Sequence, residues 1–121
     1  MFEVIVEASF AAAHSLRGYQ GKCAQVHGHN FRVRVTAEGE KLNELGLLVD
    51  FTVLKGRLRQ LVERFDHENL NEVPPFDVIN PSTENIARYL ATEMQVGMPE
   101  GVRVSSVWVQ ETDANIAVYR P

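Results

Sequence analysis

The clearest pattern in the chain is His27-Gly28-His29-Asn30-Phe31-Arg32-Val33-Arg34-Val35-Thr36. From Phe31 onward, apolar side chains alternate with polar ones. Because successive side chains of a strand point to opposite faces, this alternation predicts a strand with one buried face and one open face. The stretch therefore favours a sheet that is covered on one side.

Further strands are predicted on either side of this stretch by alternation and by β-branched residues. They run over Phe2 to Ala13, Val102 to Glu111 and Ile116 to Tyr119, and a turn at residues 113–115 joins the last two. The connection from Ser15 to Val26 is polar and carries Gly18 and Gly21, so it is longer than a hairpin needs. Loops of that length often have a function, and Cys23, the only cysteine, lies inside this one.

Two amphipathic helices are predicted between the strand pairs. Apolar residues from Phe51 to Phe65 recur at steps of three and four, which places them on one helical face. The second helix begins at a Ser82 or Thr83 cap and stops at Gly97. The order of elements, ββααββ, predicts an α+β fold in which both helices cover one face of an antiparallel sheet.

The expected organisation is one domain over residues 1–121, because this length and a hydrophobic content of 45% suit a single core. A sheet of this kind keeps two unpaired edges, and proteins relieve such edges by pairing them between subunits. We therefore expect a homo-oligomer.

Composition narrows the class of partner. The net charge of -4 and a pI near 5.5 argue against nucleic acid, which calls for a basic face. The chain has no apolar run that would cross a bilayer and no export leader, so no membrane partner is expected. These features favour a cytoplasmic protein that acts on a small molecule.

Three of the 4 histidines, His14, His27 and His29, are candidates for a metal site. The spacing of His27 and His29 points both imidazoles to one side of a strand, and His14 ends the neighbouring strand. Three imidazoles without a further cysteine or an obvious carboxylate match an open zinc site, whose fourth position takes water or substrate. Other divalent ions also accept three nitrogens, and a chance surface pair is the alternative for the two strand histidines taken alone.

Three further features are weaker candidates when the residues alone are considered. Cys23 precedes His27 by 4 residues, where it can act as nucleophile, ligand or general base, or be a buried inert thiol. Asp66 precedes His67, and a carboxylate beside an imidazole can tune its proton affinity. Glu111 ends a strand and offers two acceptors to a flat N–H edge, although a solvated carboxylate is the simpler interpretation.

Along nearly its whole length the chain resembles the family of 6-pyruvoyl-tetrahydropterin and 6-carboxy-tetrahydropterin synthases. Five segments carry the resemblance, and their order and spacing are together specific. They are Phe10 to His14, Cys23 to His29, Gly46 to Phe51, Asp66 to His67 with Leu70 and Asn71, and Asn80 to Asn85 with Glu111 and Thr112. The resemblance implies the tunnelling fold (T-fold), whose subunits join edge to edge into a barrel, here a hexamer of two trimers with active sites between subunits.

The resemblance also implies roles for the candidate residues. The implied metal ligands are His14, His27 and His29 for Zn²⁺, the implied catalytic residues are Cys23, Asp66, His67 and Glu111, and the implied substrate-binding residues are Glu111, Ser82, Thr83 and Glu84. In this scheme Cys23 is the base that abstracts a proton, Asp66 and His67 form a relay pair, and Glu111 holds the pterin ring. Arg17 and Lys22 are candidate contacts for substrate phosphates, with solvated loop cations as the equal alternative.

The spacing around the cysteine favours one reaction within the family. Members with three residues between the cysteine and the His-Gly-His motif resemble the bacterial carboxy-forming enzymes that supply queuosine and other deazapurines, and this chain has that spacing. We therefore expect zinc-dependent conversion of 7,8-dihydroneopterin triphosphate to 6-carboxy-5,6,7,8-tetrahydropterin, acetaldehyde and triphosphate. The alternatives are a 6-pyruvoyl-tetrahydropterin synthase, which keeps all side-chain carbons, and a non-catalytic zinc- or pterin-binding module.

Overall fold

Five strands and two α-helices form the chain in the computed structural model, which describes all residues from 1 to 121. The strands are β1 (Phe2–His14), β2 (His27–Gly39), β3 (Glu68–Asn69), β4 (Arg103–Thr112) and β5 (Asn115–Tyr119). The helices are α1 (Phe51–Glu63) and α2 (Thr83–Gln95), and short 3-10 helices cover Lys22–Ala24 and Leu70–Glu72. Neither α-helix is long and apolar enough to cross a membrane.

The sheet has the strand order β3-β1-β2-β4-β5, and its four long strands are antiparallel. β1 and β2 pair from Phe2 opposite Gly39 to His14 opposite His27. A slip of one residue would turn the apolar side chains of β2 toward solvent, so the alternation of the sequence fixes this register. The predicted α+β fold with the order ββααββ is confirmed for the six long elements.

One strand was not expected. β3 is two residues long and pairs with β1 in parallel, so the sheet is mixed and the prediction of a wholly antiparallel sheet is wrong in this detail. After α1 the chain is held beside β1 because the His67 N–H donates to Ala11 O (2.6 Å) and Asp66 Oδ1 accepts from the Ala11 N–H (2.9 Å). A strand this short has no alternation from which to predict it.

Both helices pack on the same face of the sheet, and one cluster of 24 buried hydrophobic residues lies between the layers. α1 contributes Leu54 and Leu58, and α2 contributes Ile86 and Leu90. Each such side chain stabilises the fold by about 1.5–3 kcal/mol relative to an exposed one. The organisation as one domain stays a prediction, and this single cluster supports it.

The apolar face of the sheet ends in histidines. Toward its first residue, β2 follows buried Phe31 with His29 and then His27, and β1 places His14 opposite His27. The His14 side chain is only 2% exposed, and its ring lies edge-on to that of Phe31 with centroids 5.4 Å apart. The core therefore leads directly into a group of imidazoles.

The sheet of a single chain is open. β5 forms one edge, while the other edge consists of β3 and the part of β1 that β3 leaves unpaired. Closure of the sheet into a barrel by further subunits stays a prediction.

Candidate metal centre and active site

Three imidazoles meet where β1 and β2 enter the loop of residues 15–26. The ring centroids of His14 and His27 are 4.6 Å apart, and those of His27 and His29 are 4.8 Å apart. His14 and His29, on neighbouring strands, are separated by 5.2 Å. The structure thus brings His27 and His29, which share one side of β2, together with His14 of the neighbouring strand.

Glu111 is the fourth member of this group. Its Oε1 lies 3.1 Å from His14 Nε2, 2.9 Å from His29 Nε2 and 4.0 Å from His27 Nε2. One ligand atom from each of the four residues lies within 4.8 Å of all the others. We call these four residues the His/Glu cluster.

The sequence showed no obvious carboxylate beside the three imidazoles, and the structure supplies one. β4 pairs with β2 up to Gln110 opposite Arg32, so the next residue, Glu111, arrives beside the histidine end of β2. Only the long-range register of β4 places it there, and the local sequence around Glu111 carries no sign of that pairing.

Backbone carbonyls hold the outer nitrogens of two histidines. His14 Nδ1 lies 2.7 Å from Pro81 O, and His27 Nδ1 lies 2.7 Å from Gln25 O. Because a carbonyl only accepts hydrogen bonds, each Nδ1 carries a proton and donates it. In the neutral ring the lone pair then resides on Nε2, which faces the His/Glu cluster, and this arrangement orients histidines toward metals in proteins.

His29 supplies the observation that tests for a metal. Its Nε2 is buried and has no hydrogen-bond partner, although Glu111 Oε1 lies 2.9 Å away. Burial lowers the pKa of His29 below its ordinary value, and this effect outweighs the opposite influence of Glu111. An unpartnered neutral nitrogen beside two aligned imidazoles and a carboxylate is a donor set that suits Zn²⁺. The residues present therefore fit the ion.

The three residues expected to line the ring pocket stand at the start of α2. Thr83 is 8% exposed, and its Oγ1 donates to Glu111 Oε2 (3.3 Å). Ser82 caps the helix, since its Oγ accepts from the Asn85 N–H (3.1 Å), and Glu84 is exposed on the first turn. Thr83 thus orients the carboxylate, while ring contacts of all three residues stay predictions.

Cys23 lies in the loop between the histidine strands but outside the His/Glu cluster. It is half-buried in the 3-10 helix Lys22–Ala24, and its carbonyl accepts from the Leu16 N–H at 2.8 Å. Its Sγ is not among the mutually close ligand atoms. The loop therefore folds back on the end of β1, and the geometry does not favour Cys23 as a metal ligand.

Asp66 and His67 form the expected pair at the edge of the sheet. His67 Nδ1 is 3.0 Å from Asp66 Oδ2, and the His67 side chain is 83% exposed. The hydrogen bond from the Ala11 backbone lowers the pKa of Asp66, and the contact with His67 lowers it further. His67 and His29 line the same open cleft of about 500 Å³. This cleft therefore connects His67 of the pair with His29 of the His/Glu cluster.

Arg17 has a different use from the predicted phosphate contact. Its guanidinium donates to three backbone carbonyls, those of Asn71 (3.1 Å), Phe76 (2.6 Å) and Ile79 (3.2 Å). Lys22 is exposed and stays a candidate for the phosphate contact. Sequence reasoning missed both the structural use of Arg17 and the role of the Pro81 carbonyl, because contacts to backbone atoms leave no mark on side-chain patterns.

Residues 3–121 match the family model described as 6-pyruvoyl tetrahydropterin synthase. The chain belongs to this family. It is 36% identical over 124 residues to the 6-carboxy-5,6,7,8-tetrahydropterin synthase of Synechocystis sp., covering 98% of this chain and 93% of that protein. It is 35% identical over 107 residues to the dihydroneopterin monophosphate aldolase of Pyrococcus furiosus, covering 87% of each.

Solved structures of the family share the fold. The 6-pyruvoyl tetrahydropterin synthase of Caenorhabditis elegans superimposes with a TM-score of 0.84 at 30% identity, covering 100% of this chain and 97% of that chain. The resemblance and the T-fold architecture are thereby confirmed, and family membership supports an enzyme of the tetrahydropterin synthase type. Because similar proteins carry names for different reactions, the choice among reactions rests on the site.

Proposed function

We propose that the chain is a Zn²⁺-dependent 6-carboxy-5,6,7,8-tetrahydropterin synthase acting in queuosine biosynthesis. It converts 7,8-dihydroneopterin triphosphate and water to 6-carboxytetrahydropterin, acetaldehyde and triphosphate. The observation that carries the proposal is the His/Glu cluster, set in a family of tetrahydropterin synthases and preceded by Cys23. We place the reaction in the cytoplasm, where reducing conditions keep that single cysteine a free thiol.

His14, His27 and His29 would hold the zinc ion, which supplies Lewis-acid polarisation of the hydroxyl groups on the substrate side chain. The protein prepares for this by aligning two of the rings through the carbonyls of Pro81 and Gln25. The third ring contributes a buried nitrogen that no protein group satisfies. Three donors of this kind leave a coordination position for the substrate.

Glu111 is assigned to the pterin ring. Pterin presents a flat N–H edge with two adjacent donors, which a carboxylate accepts in a bidentate manner. Thr83 donates to Oε2 of this carboxylate (3.3 Å) and so limits its rotation, which supports a positioning role. Ser82 and Glu84 flank Thr83 and complete the proposed ring pocket.

Proton transfer is assigned to the remaining candidates. Cys23 takes the proton from the side-chain carbon next to the ring, and the Asp66–His67 pair returns protons to the intermediates. His67 is suited to exchange because its ring is 83% exposed and its partner carboxylate lies 3.0 Å away. Since the pair stands at the sheet edge, we propose that it completes an active site between subunits of a homo-oligomer.

A pyruvoyl-forming synthase is the second candidate, because it would use the same residues and also release triphosphate. The three-residue gap between Cys23 and His27 favours the carboxy-forming reaction. Incubation of the zinc-loaded protein with 7,8-dihydroneopterin triphosphate, followed by product identification, tests the choice. We expect acetaldehyde and a carboxylated pterin, whereas triphosphate release without acetaldehyde would establish the pyruvoyl reaction.

The Cys23→Ala variant tests whether the site is catalytic. We expect zinc and pterin to stay bound while turnover falls by about 100-fold or more, as loss of a general base commonly causes. Val26→Ala, which shortens a side chain that is 63% exposed in the same loop, is the matched control and should keep full turnover. Unchanged turnover in Cys23→Ala would remove the base assignment. A wild-type protein that binds zinc and pterin without turnover would instead be a binding module.

A further inference from the structure

Two asparagines tie the segment after His14 to the loop between α1 and α2. Asn71 Oδ1 accepts from the Ser15 N–H (2.8 Å), and Asn71 Nδ2 donates to Ser15 O (3.0 Å). Asn80 makes the same pair of contacts with the Arg17 backbone: its Oδ1 accepts from the Arg17 N–H (2.9 Å) and its Nδ2 donates to Arg17 O (3.0 Å). Each side-chain amide thus satisfies both the N–H and the carbonyl of one backbone residue, as a paired strand would.

The Arg17 side chain strengthens the tie from the opposite direction. Its guanidinium donates to the carbonyls of Asn71, Phe76 and Ile79, which span the same loop. A planar guanidinium with several donors in a fixed fork can hold three carbonyls at once, whereas an ammonium on a flexible stem cannot fix them in this way. The path of the loop up to Asn80 is therefore set by Arg17.

This loop delivers the carbonyl that orients His14. Pro81 follows Asn80 directly, and Pro81 O accepts from the buried His14 Nδ1 at 2.7 Å. On the other side, Ser82 caps α2, and Asn85 Nδ2 donates to Asn80 O (3.0 Å). The Pro81 carbonyl is consequently held from both sides.

We infer that Asn80, supported by Arg17 and Asn71, is a positioning residue for the metal centre. It fixes the Pro81 carbonyl, which keeps the proton of His14 on Nδ1 and its Nε2 directed at the His/Glu cluster. The inference rests on the proposed function, since it requires the cluster to bind a metal. Outer hydrogen bonds of this kind tune metal affinity in proteins by orienting the ligand and setting its tautomer.

The test measures Zn²⁺ affinity of the full chain by competition with a chromophoric chelator. Asn80→Ala should weaken Zn²⁺ binding by about 10-fold or more, the range seen when a ligand loses its outer partner. The matched control is Asn43→Ala, because Asn43 Oδ1, like Asn80 Oδ1, accepts from the backbone, here from the N–H groups of Leu45 (2.9 Å) and Leu47 (3.0 Å). That control removes the same kind of contact from the loop between β2 and α1, and it should keep the wild-type affinity for Zn²⁺.

The following results would contradict the inference. Wild-type affinity in Asn80→Ala, or an equal loss in Asn43→Ala, overturns the inference and leaves the proposed function intact. A wild-type protein that does not bind Zn²⁺ overturns both. If Asn80→Ala does not fold, Asn80→Asp replaces it, since the carboxylate still accepts from the Arg17 N–H but loses the donor, and weaker Zn²⁺ binding is again expected.

Arg17→Lys separates positioning from phosphate binding. Lysine keeps the charge but loses the fork, so we expect weaker Zn²⁺ binding, together with a changed visible spectrum of the Co²⁺-substituted protein. A phosphate contact would predict unchanged Zn²⁺ affinity and a raised KM for the triphosphate substrate. That second pattern would overturn the part of the inference that concerns Arg17.

Discussion

The His14 ring is held in one orientation by its hydrogen bond and by its packing. Nδ1 bonds to Pro81 O, Nε2 lies 3.1 Å from Glu111 Oε1, and the ring contacts Phe31. The side chain is 2% exposed, so it has no room to turn. His14 is therefore the buried member of the cluster with a fixed ring, whereas His27 and His29 are more exposed.

Replacement of His27 tests whether the histidines of the His/Glu cluster, and not exposed histidines, bind the metal. We expect His27→Ala to lose Zn²⁺ affinity by more than the roughly 10- to 100-fold that loss of an outer hydrogen bond costs. His67→Ala is the matched control, because His67 is 83% exposed and lies outside the cluster. Metal analysis after dialysis measures both variants, and a full zinc content in His27→Ala would contradict the ligand set.

Asp66 gives the fold a pH dependence of known sign. Because the hydrogen bond from Ala11 lowers its pKa from 3.8, the ionised carboxylate stabilises the folded state above that value. The stabilisation is lost as the pH falls through the lower pKa of the folded state. Asp66→Asn should therefore be less stable than wild type at pH about 6, and the difference should shrink below pH 3.8.

Urea unfolding at several pH values measures this effect. Asp77→Asn is the control, since Asp77 is exposed and its replacement removes the same charge from the surface. A stability difference between Asp66→Asn and wild type that stays constant from neutral to acidic pH would show that the hydrogen bond does not depend on ionisation.

The sequence predicted the positions of some individual residues but not of others. The spacing of His27 and His29 predicted their shared direction, because strand geometry is periodic and local. The arrival of Glu111 in the cluster depends on the pairing of β4 with β2, and the use of Arg17 depends on three carbonyls from a separate loop. Neither contact has a local signature.

Among the elements, the end of β2 is more tightly packed than its sequence suggests. A Cβ added at Gly39 would lie 2.6 Å from Leu48 Cδ1 and 2.7 Å from Gly101 O. The leucine can move, but the backbone oxygen cannot do so without disturbing the start of β4. In contrast, a Cβ added at Gly56 on the exposed side of α1 would meet nothing within 4 Å.

The two glycines should therefore respond to alanine in opposite ways. Gly39→Ala should destabilise the fold by about 1–3 kcal/mol through overpacking. Gly56→Ala should stabilise it by about 0.5–1 kcal/mol, since glycine is a poor helix former. Urea unfolding followed by Trp108 fluorescence measures both, and a neutral Gly39→Ala would show that the β2 and β4 ends separate easily.

Element prediction succeeded where amphipathic periodicity extends over several turns or pleats, as in α1, α2 and the four long strands. It failed at β3, whose two residues lie beside β1 because Asp66 and His67 are hydrogen-bonded to the backbone of Ala11. Helix bounds were also predicted within a few residues, since Ser82 is the cap that its chemistry suggested.

For the molecule as a whole, the open sheet and the exposed His67 raise the question of where a complete active site lies. The Asp66–His67 pair stands on the edge that would meet another subunit. The unpaired sheet edges predicted association of subunits, whereas the location of the active sites between subunits was predicted only through the family resemblance.

Mixing two inactive variants tests whether subunits share the site. If Cys23 of one subunit works with His67 of the next, Cys23→Ala and His67→Ala subunits refolded together should recover roughly a quarter of wild-type turnover by random assembly. Each variant refolded alone is the control and should stay inactive. No recovery in a mixed oligomer would place both residues of one active site in the same chain.

The donors of the His/Glu cluster are delivered at different times during synthesis. Its three nitrogens belong to the first hairpin, whereas the carboxylate comes from β4 near the end of the chain. Neighbouring strands pair early because little loop entropy opposes them, and a bound ion favours whatever conformation holds it. The three imidazoles are therefore together once the first hairpin has formed, and β4, which completes the core, brings the carboxylate of Glu111 beside them last.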